Sequence, residues 1–176
     1  MEKDSKIRVD EKIHLRTIVV EDVSENYVNW LNDYEVTKYT EQKYFKHTLE
    51  SVANFVNQKY HSNNDLLFGI FLENSHIGNI KLGNINLHHM SSEISYFIGN
   101  KNFWGKGIAS KCVRCVVEYA IKELDLKKIN AGYYEGNEGS AKVLEKCGFV
   151  VEGIRHSNQI FNGERISAFL LGYIPN

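Results

Sequence analysis

Hydrophobic and polar positions alternate in some parts of the chain and recur at helical spacing in others. Ile13 to Ile18 alternates and predicts a first strand. From Asp22 onward, Val23, Tyr27, Trp30 and Leu31 fall at helical spacing. A polar, aromatic stretch follows, and then Leu49, Val52, Ala53, Val56 and Tyr60 mark a second helix, with Thr48 placed to cap it. Leu66–Leu72 and His76–Leu82 predict two strands joined at Glu73-Asn74-Ser75. Gly83, Asn84, His88 and His89 read as a connection to a strand over Ser92–Ile98. A helix carrying Ile108, Cys112, Val116, Tyr119 and Ala120 on one face should end near Leu124. Lys128–Tyr134 is a strand, and Asn137–Cys147 a short helix with Asn137 at its start and Gly148 after its end. Phe149–Arg155 and Ile166–Tyr173 complete the set. Two early helices, an antiparallel meander and two strand–helix units predict an α+β (mixed α/β) domain.

Composition narrows the function. A chain of 176 residues holds one domain, 1–176, with a real core. Its net charge of -1 provides no electrostatic footprint for nucleic acid or an anionic membrane. No apolar run has the length of a membrane helix, and the charged opening MEKDSKIRVDEK lacks the apolar core of a signal peptide. Three cysteines do not suggest a disulfide scaffold. A cytoplasmic protein is expected.

The chemistry concentrates at Trp104-Gly105-Lys106-Gly107-Ile108-Ala109, between a strand and a helix. A helix start presents unpaired N–H groups, and glycines before it let an anion approach the backbone. A phosphate cradle and a plain connecting turn both fit. The spacing of a nucleotide P-loop is absent, and Ser110 occupies the third glycine's place of a dinucleotide fingerprint. Cys112 and Cys115 stand one turn apart in mid-helix, where a redox pair would need the helix start. Packing is the expectation for them, and no metal site is expected.

At this loop the sequence resembles the GCN5-related N-acetyltransferases (GNAT), which use acetyl-CoA. Their signature [QR]-x-x-G-x-[GA] is matched by N-F-W-G-K-G, Asn102 to Gly107, at the glycines, with Asn102 departing at the first position. N-E-G-S-A-K-V-L-E-K-C-G-F, Asn137 to Phe149, is similar to the family's second motif, and the element order agrees. H-L-R-T, W-L-N-D-Y-E-V and I-G-N-I resemble the branch of ribosomal-protein N-terminal acetyltransferases and relatives. That branch also includes enzymes acting on amino sugars, antibiotics and polyamines.

The resemblance implies a mostly antiparallel twisted sheet of six to seven strands flanked by about four helices. It implies acetyl-CoA as co-substrate, and as acceptor a small amine such as a nucleotide-linked amino sugar, or a protein N-terminus. A CoA-binding sensor of the same fold is the alternative. Phe97 and Ile98 would meet the pantetheine arm and thioester by backbone groups, and Trp104 to Ala109 the pyrophosphate. Asn137 and Ser140 would complete the cofactor side. The family's usual proton-donating tyrosine is Leu144 here, which leaves the Ser140 hydroxyl as the candidate. Glu93 is the candidate base, although a slip of one residue would reverse its face. Trp30, Asp33, Tyr34 and Tyr39 would line the acceptor side, where the acids Asp33, Glu35 and Glu41 would suit an incoming ammonium. Pairing of two copies through exposed strands or the C-terminal hairpin is left open.

Overall fold

The computed structural model describes residues 5–175, so part of the charged opening read above lies outside the described residues. The strands are β1 (Lys6–Arg8), β2 (Ile13–Thr17), β3 (Leu66–Leu72), β4 (Ser75–Asn86), β5 (Ser91–Ile98), β6 (Lys128–Tyr134), β7 (Val150–Phe161) and β8 (Glu164–Tyr173). The α-helices are α1 (Glu25–Asn32), α2 (Tyr34–Thr37), α3 (Leu49–His61), α4 (Ile108–Lys122) and α5 (Glu138–Lys146). The strands form one sheet in the order β1-β2-β3-β4-β5-β6-β8-β7. Every neighbouring pair is antiparallel except β5 with β6.

Helices cover both faces of the sheet. The larger core packs α4 and α5 against one face through Ile80, Leu82, Ile94, Val113, Val116 and Leu144. The smaller one packs α1 and α3 against the other through Tyr27, Leu31, Val52, Val56 and Leu67. This explains why LLFGIFL on β3 reads as an unbroken apolar run: a strand covered on both faces has no polar side to show.

Local signals set the helix boundaries. Thr48 and Ser51 bond reciprocally across the start of α3. Asn137 accepts the Ser140 N–H at the start of α5. Gly148 takes the left-handed conformation after that helix, with φ +83°.

Several elements extend beyond the sequence reading. Eight strands and five α-helices are present among the described residues, against the six to seven and about four expected. Three residues are too few for alternation to reveal β1. Helix α2 is a single turn, started by Asp33, whose carboxylate accepts the Glu35 N–H. Strand β4 does not stop before Gly83 but continues through an irregularity, with Asn84 at φ +51°. Strand β7 runs on to Phe161, past a second irregularity where Ser157 has φ +52°. Most of β7 is exposed on both faces, so no buried side imposes an alternating pattern. No helix among the described residues is long and apolar enough to cross a membrane.

Leu144, the position of the family's tyrosine, is wholly buried in the larger core. Leu144→Ala should therefore destabilise the fold by about 2–5 kcal/mol in denaturant unfolding. A loss well below 1 kcal/mol would remove it from the core.

Candidate active site

The site is built where β5 and β6 separate. They pair over only three positions, Ser91–Lys128, Ser92–Ile129 and Glu93–Asn130, and then diverge. Beyond Glu93, β5 keeps its pairing with β4, as far as Ile98 with Gly78. The Gly99 N–H still points to β4, donating to Ile77. Backbone groups alternate in direction along an antiparallel strand, so those of Phe97 also face β4, while those of Tyr96 and Ile98 face the gap. The Ile98 carbonyl confirms the direction, since it accepts the Trp104 indole N–H at 2.7 Å. Of the two residues read for backbone contact, Ile98 presents its groups to the gap. Phe97 presents its ring to the opposite face, against the smaller core.

The glycine loop lies at the end of this gap. Gly105 has φ +72° and Gly107 φ +73°, and a Cβ at either would touch nothing within 4 Å. The loop thus bends sharply and leaves open space in front of its backbone. Gly107 caps α4, whose first turn carries no acid to compete for its N–H groups. Ile108 is buried and anchors that helix start, and Ala109 is half-buried beside it. The Lys106 ammonium lies over the Phe103 ring, 5.3 Å from its centre.

On the α4–α5 face, two hydroxyls meet beside the gap. Tyr96 and Ser140 lie with their oxygens 3.1 Å apart. The Ser140 N–H already bonds Asn137, so its hydroxyl is not needed as a cap. Burial pushes the Tyr96 phenol up to about 12, so it keeps its proton at neutral pH. The Tyr96 side chain was not among the site residues expected from sequence. It joins Ser140 because β5 turns residues 92, 94 and 96 to the α4–α5 side.

Glu93 falls on the other face, with Ser95 and Phe97. It is exposed and accepts a hydrogen bond from the Asn84 side chain at 3.0 Å. Ser140 and Glu93 therefore flank the sheet from opposite sides and are not brought together.

A cavity of about 500 Å³ opens on the α1–α3 face. Tyr27, Leu31, Phe45, Phe55, Leu67 and Phe97 supply its apolar wall, and Asn79, Lys81, Ser95 and Lys46 are among its polar groups. None of the four residues expected on the acceptor side lines this cavity. Trp30 packs beneath the end of β5: a Cβ on Gly99 would come within 2.1 Å of its ring. The Asp33 carboxylate pairs with Lys101 at 2.5 Å, and Glu35 pairs with Lys38 at 2.8 Å. Tyr34 donates to the Asn162 side chain at 2.8 Å, and Tyr39 stacks on Phe161 at 5.0 Å, both at the turn between β7 and β8. Glu41 accepts the Tyr134 hydroxyl at 2.7 Å. The three acids are thus already partnered, and the tyrosines dock the C-terminal hairpin. Lys81 and Asn79 were not picked out from sequence; their signal was only the strand alternation that puts them on one face.

The cysteines pack. Cys112 is wholly buried, and burial pushes its thiol up to about 12. Cys147 donates to the Ser110 carbonyl, while Cys115 is half-buried.

A family model described as an acetyltransferase (GNAT) domain matches residues 12–150. The chain belongs to this family. GNAT proteins use acetyl-CoA, and the open glycine loop, the acid-free start of α4 and the unpaired edge of β5 have the donors such a ligand needs. The probable N-acetyltransferase YjcK of Bacillus subtilis (strain 168) is 43% identical over 99 residues, covering 54% of each chain. The putative ribosomal N-acetyltransferase YdaF of the same organism is 34% identical over 106 residues, covering 60% of this chain and 57% of that one. The chain thus matches little more than half the length of either relative. The crystal structure of ribosomal-protein-S5-alanine acetyltransferase from Vibrio fischeri is similar over 97% of both chains, with TM-score 0.82 and 26% identity.

The thiols should differ in native labelling. At pH 8, below the raised range of a buried thiol, an aromatic disulfide reagent should modify Cys115 before Cys112, which should react only on unfolding. Equal native rates, read by mass spectrometry of the labelled peptides, would contradict the buried placement.

Proposed function

We propose that this chain is an acetyl-CoA-dependent N-acetyltransferase that moves an acetyl group to a primary amine by direct attack. The observation that carries this reading is the parting of β5 from β6 in front of an open, glycine-bent helix start. Backbone N–H groups of Gly107, Ile108 and Ala109 would hold the pyrophosphate, with Gly105 shaping the bend and Trp104 and Lys106 at its sides. The edge of β5 at Tyr96 and Ile98 would pair with the pantetheine arm. Acetyl-CoA, when bound, supplies the acetyl group as an activated thioester.

The chain's own groups account for the remaining needs of the reaction. An N–H facing the gap offers a hydrogen bond to developing negative charge on a carbonyl oxygen. The Ser140 hydroxyl, bonded to a Tyr96 phenol that stays protonated, holds a proton for a leaving sulfur. Asn137 orients Ser140 through the helix start. The amine must arrive neutral. Glu93, on the acceptor face and restrained by Asn84, is the side chain proposed to receive its proton. Trp30, Asp33, Tyr34 and Tyr39 would frame the acceptor entrance by holding β5, the loop before the glycines and the β7–β8 turn in place. The acceptor is proposed as a small amine, such as a nucleotide-linked amino sugar, or a protein N-terminus.

Thermal unfolding with acetyl-CoA, ATP or NAD tests the reading, because a ligand that binds only the folded state raises the midpoint. A rise with acetyl-CoA alone, followed by amine-dependent thiol release, is expected; no rise at saturating acetyl-CoA would count decisively against it. Two substitutions separate binding from chemistry. Gly107→Glu should weaken CoA about tenfold or more, since it adds bulk and negative charge at the phosphate site, whereas Gly107→Ala carries only a left-handed strain of about 1–2 kcal/mol. Ser140→Ala should lower kcat by roughly tenfold or more while CoA affinity stays within about twofold. Unchanged kcat would leave Ser140 a purely structural part of α5.

A further inference from the structure

The cavity on the α1–α3 face has a charge pattern that bears on the acceptor. This inference rests on the acetyltransferase reading and deepens it. Among the described residues that line the cavity there is no aspartate or glutamate, while Lys46 and Lys81 both do line it. Neither lysine forms an ion pair within 4 Å among the described residues. Asp65 lies close enough to Lys81 to feel its charge, outside ion-pair distance; its Oδ2 takes the Lys59 ammonium at 2.9 Å and the Ser62 hydroxyl at 2.8 Å, and its Oδ1 lies toward Lys81 beside Gly83, outside the cavity wall. Glu93, on the same sheet face, is bonded to Asn84 and is not part of the cavity wall.

The wall adds a buried donor. Asn79 is 3% exposed, and its side-chain nitrogen has no hydrogen-bond partner. Its orientation follows from its neighbours. His76 Nε2 lies 3.0 Å from the Gly78 carbonyl, which can only accept, so that nitrogen carries the hydrogen. The Asn79 atom 2.8 Å from the same nitrogen must then be the oxygen. The amide nitrogen is left beside the Tyr27 phenol without a bond of good geometry. A buried donor left without a partner is costly, and a ligand oxygen would satisfy it. Around it, Phe45 is 64% exposed and Phe55 38%, so two aromatic surfaces stand ready to cover an apolar group.

We propose that the acceptor is an amine carried on an apolar body that also bears an anionic group, held by Lys46, Lys81 and the Asn79 amide. A polyamine is the opposite case. With one amine neutral for attack, spermidine would still bring two ammonium groups against two lysines and no carboxylate. Placing those charges in an apolar wall without partners is strongly unfavourable. Of the two acceptor types raised above, the small anion-bearing amine is the one this wall suits.

Tyramine and its O-phosphate share one aromatic body and one primary amine and differ in charge; spermidine supplies the polycation. Calorimetric titration of each into the CoA-bound protein should show the O-phosphate binding about tenfold or more tighter than tyramine, and spermidine weakest. Thiol release from acetyl-CoA should follow the same order. In a Lys46→Gln, Lys81→Gln double variant, with unfolding midpoint and CoA affinity unchanged, the preference for the phosphate should fall to within about threefold. Equal binding of tyramine and its phosphate, tighter binding of spermidine, or a preference untouched by the double variant would each overturn the proposal. The expected binding order without thiol release from any amine would support the charge selection in the cavity and overturn acetyl transfer instead.

Discussion

The parting of β5 from β6 is the constraint on which the rest of the site depends. A sheet gains by pairing every backbone group, and an unpaired edge inside a domain has to be held open by something else. Here the two strands are held by different neighbours after three shared positions. The outer end of β5 stays bound to β4 and is wedged onto α1, where Trp30 fills the space that only a glycine at position 99 leaves. The outer end of β6 is paired with β8, and its last residue, Tyr134, bonds Glu41 on the far side of the opening. The Trp104 indole occupies one of the carbonyls left behind on β5. The gap is therefore maintained by the packing around it.

This arrangement sorts the chemistry by sheet face. The hydroxyls of Tyr96 and Ser140 lie on the α4–α5 side, where burial keeps the phenol protonated. Glu93 and the apolar cavity lie on the α1–α3 side. A group entering from the cavity and a group leaving toward Ser140 would meet only at the gap. In the proposed reaction, proton acceptance and proton donation would thereby be separated by the thickness of a strand, which would keep the two roles from neutralising each other.

How much of this was legible in the sequence depended on how local each cause is. Thr48 before α3, Asn137 before α5 and Gly148 after it act within a few residues, and their placement was readable. The apolar run on β3 was readable as a strand, while its burial on both faces is set by the helices that cover it. The glycine pair before α4 was readable as a turn open to an anion or as a plain connection; its left-handed backbone is what the fold adds. Causes that act between distant segments were not. The acids Asp33, Glu35 and Glu41 looked available to an ammonium, but their partners Lys101, Lys38 and Tyr134 are supplied by folding, two of them from far along the chain. Tyr34 and Tyr39 belong with Asn162 and Phe161, more than a hundred residues away. The face of Glu93 turned on strand register, which a single polar residue cannot fix. Strand β7 stayed hidden past Arg155 because an exposed strand needs no alternation.

Backbone hydrogen exchange at Tyr96 and Ile98 tests the central claim most directly. Their N–H groups face the gap, so without ligand they should exchange faster than that of Phe97, which β4 protects. Saturating acetyl-CoA should slow both, with little change at Phe97, because a ligand arm would pair with the open edge. Exchange at Tyr96 and Ile98 that is already slow without ligand, or that acetyl-CoA leaves unchanged, would contradict the account.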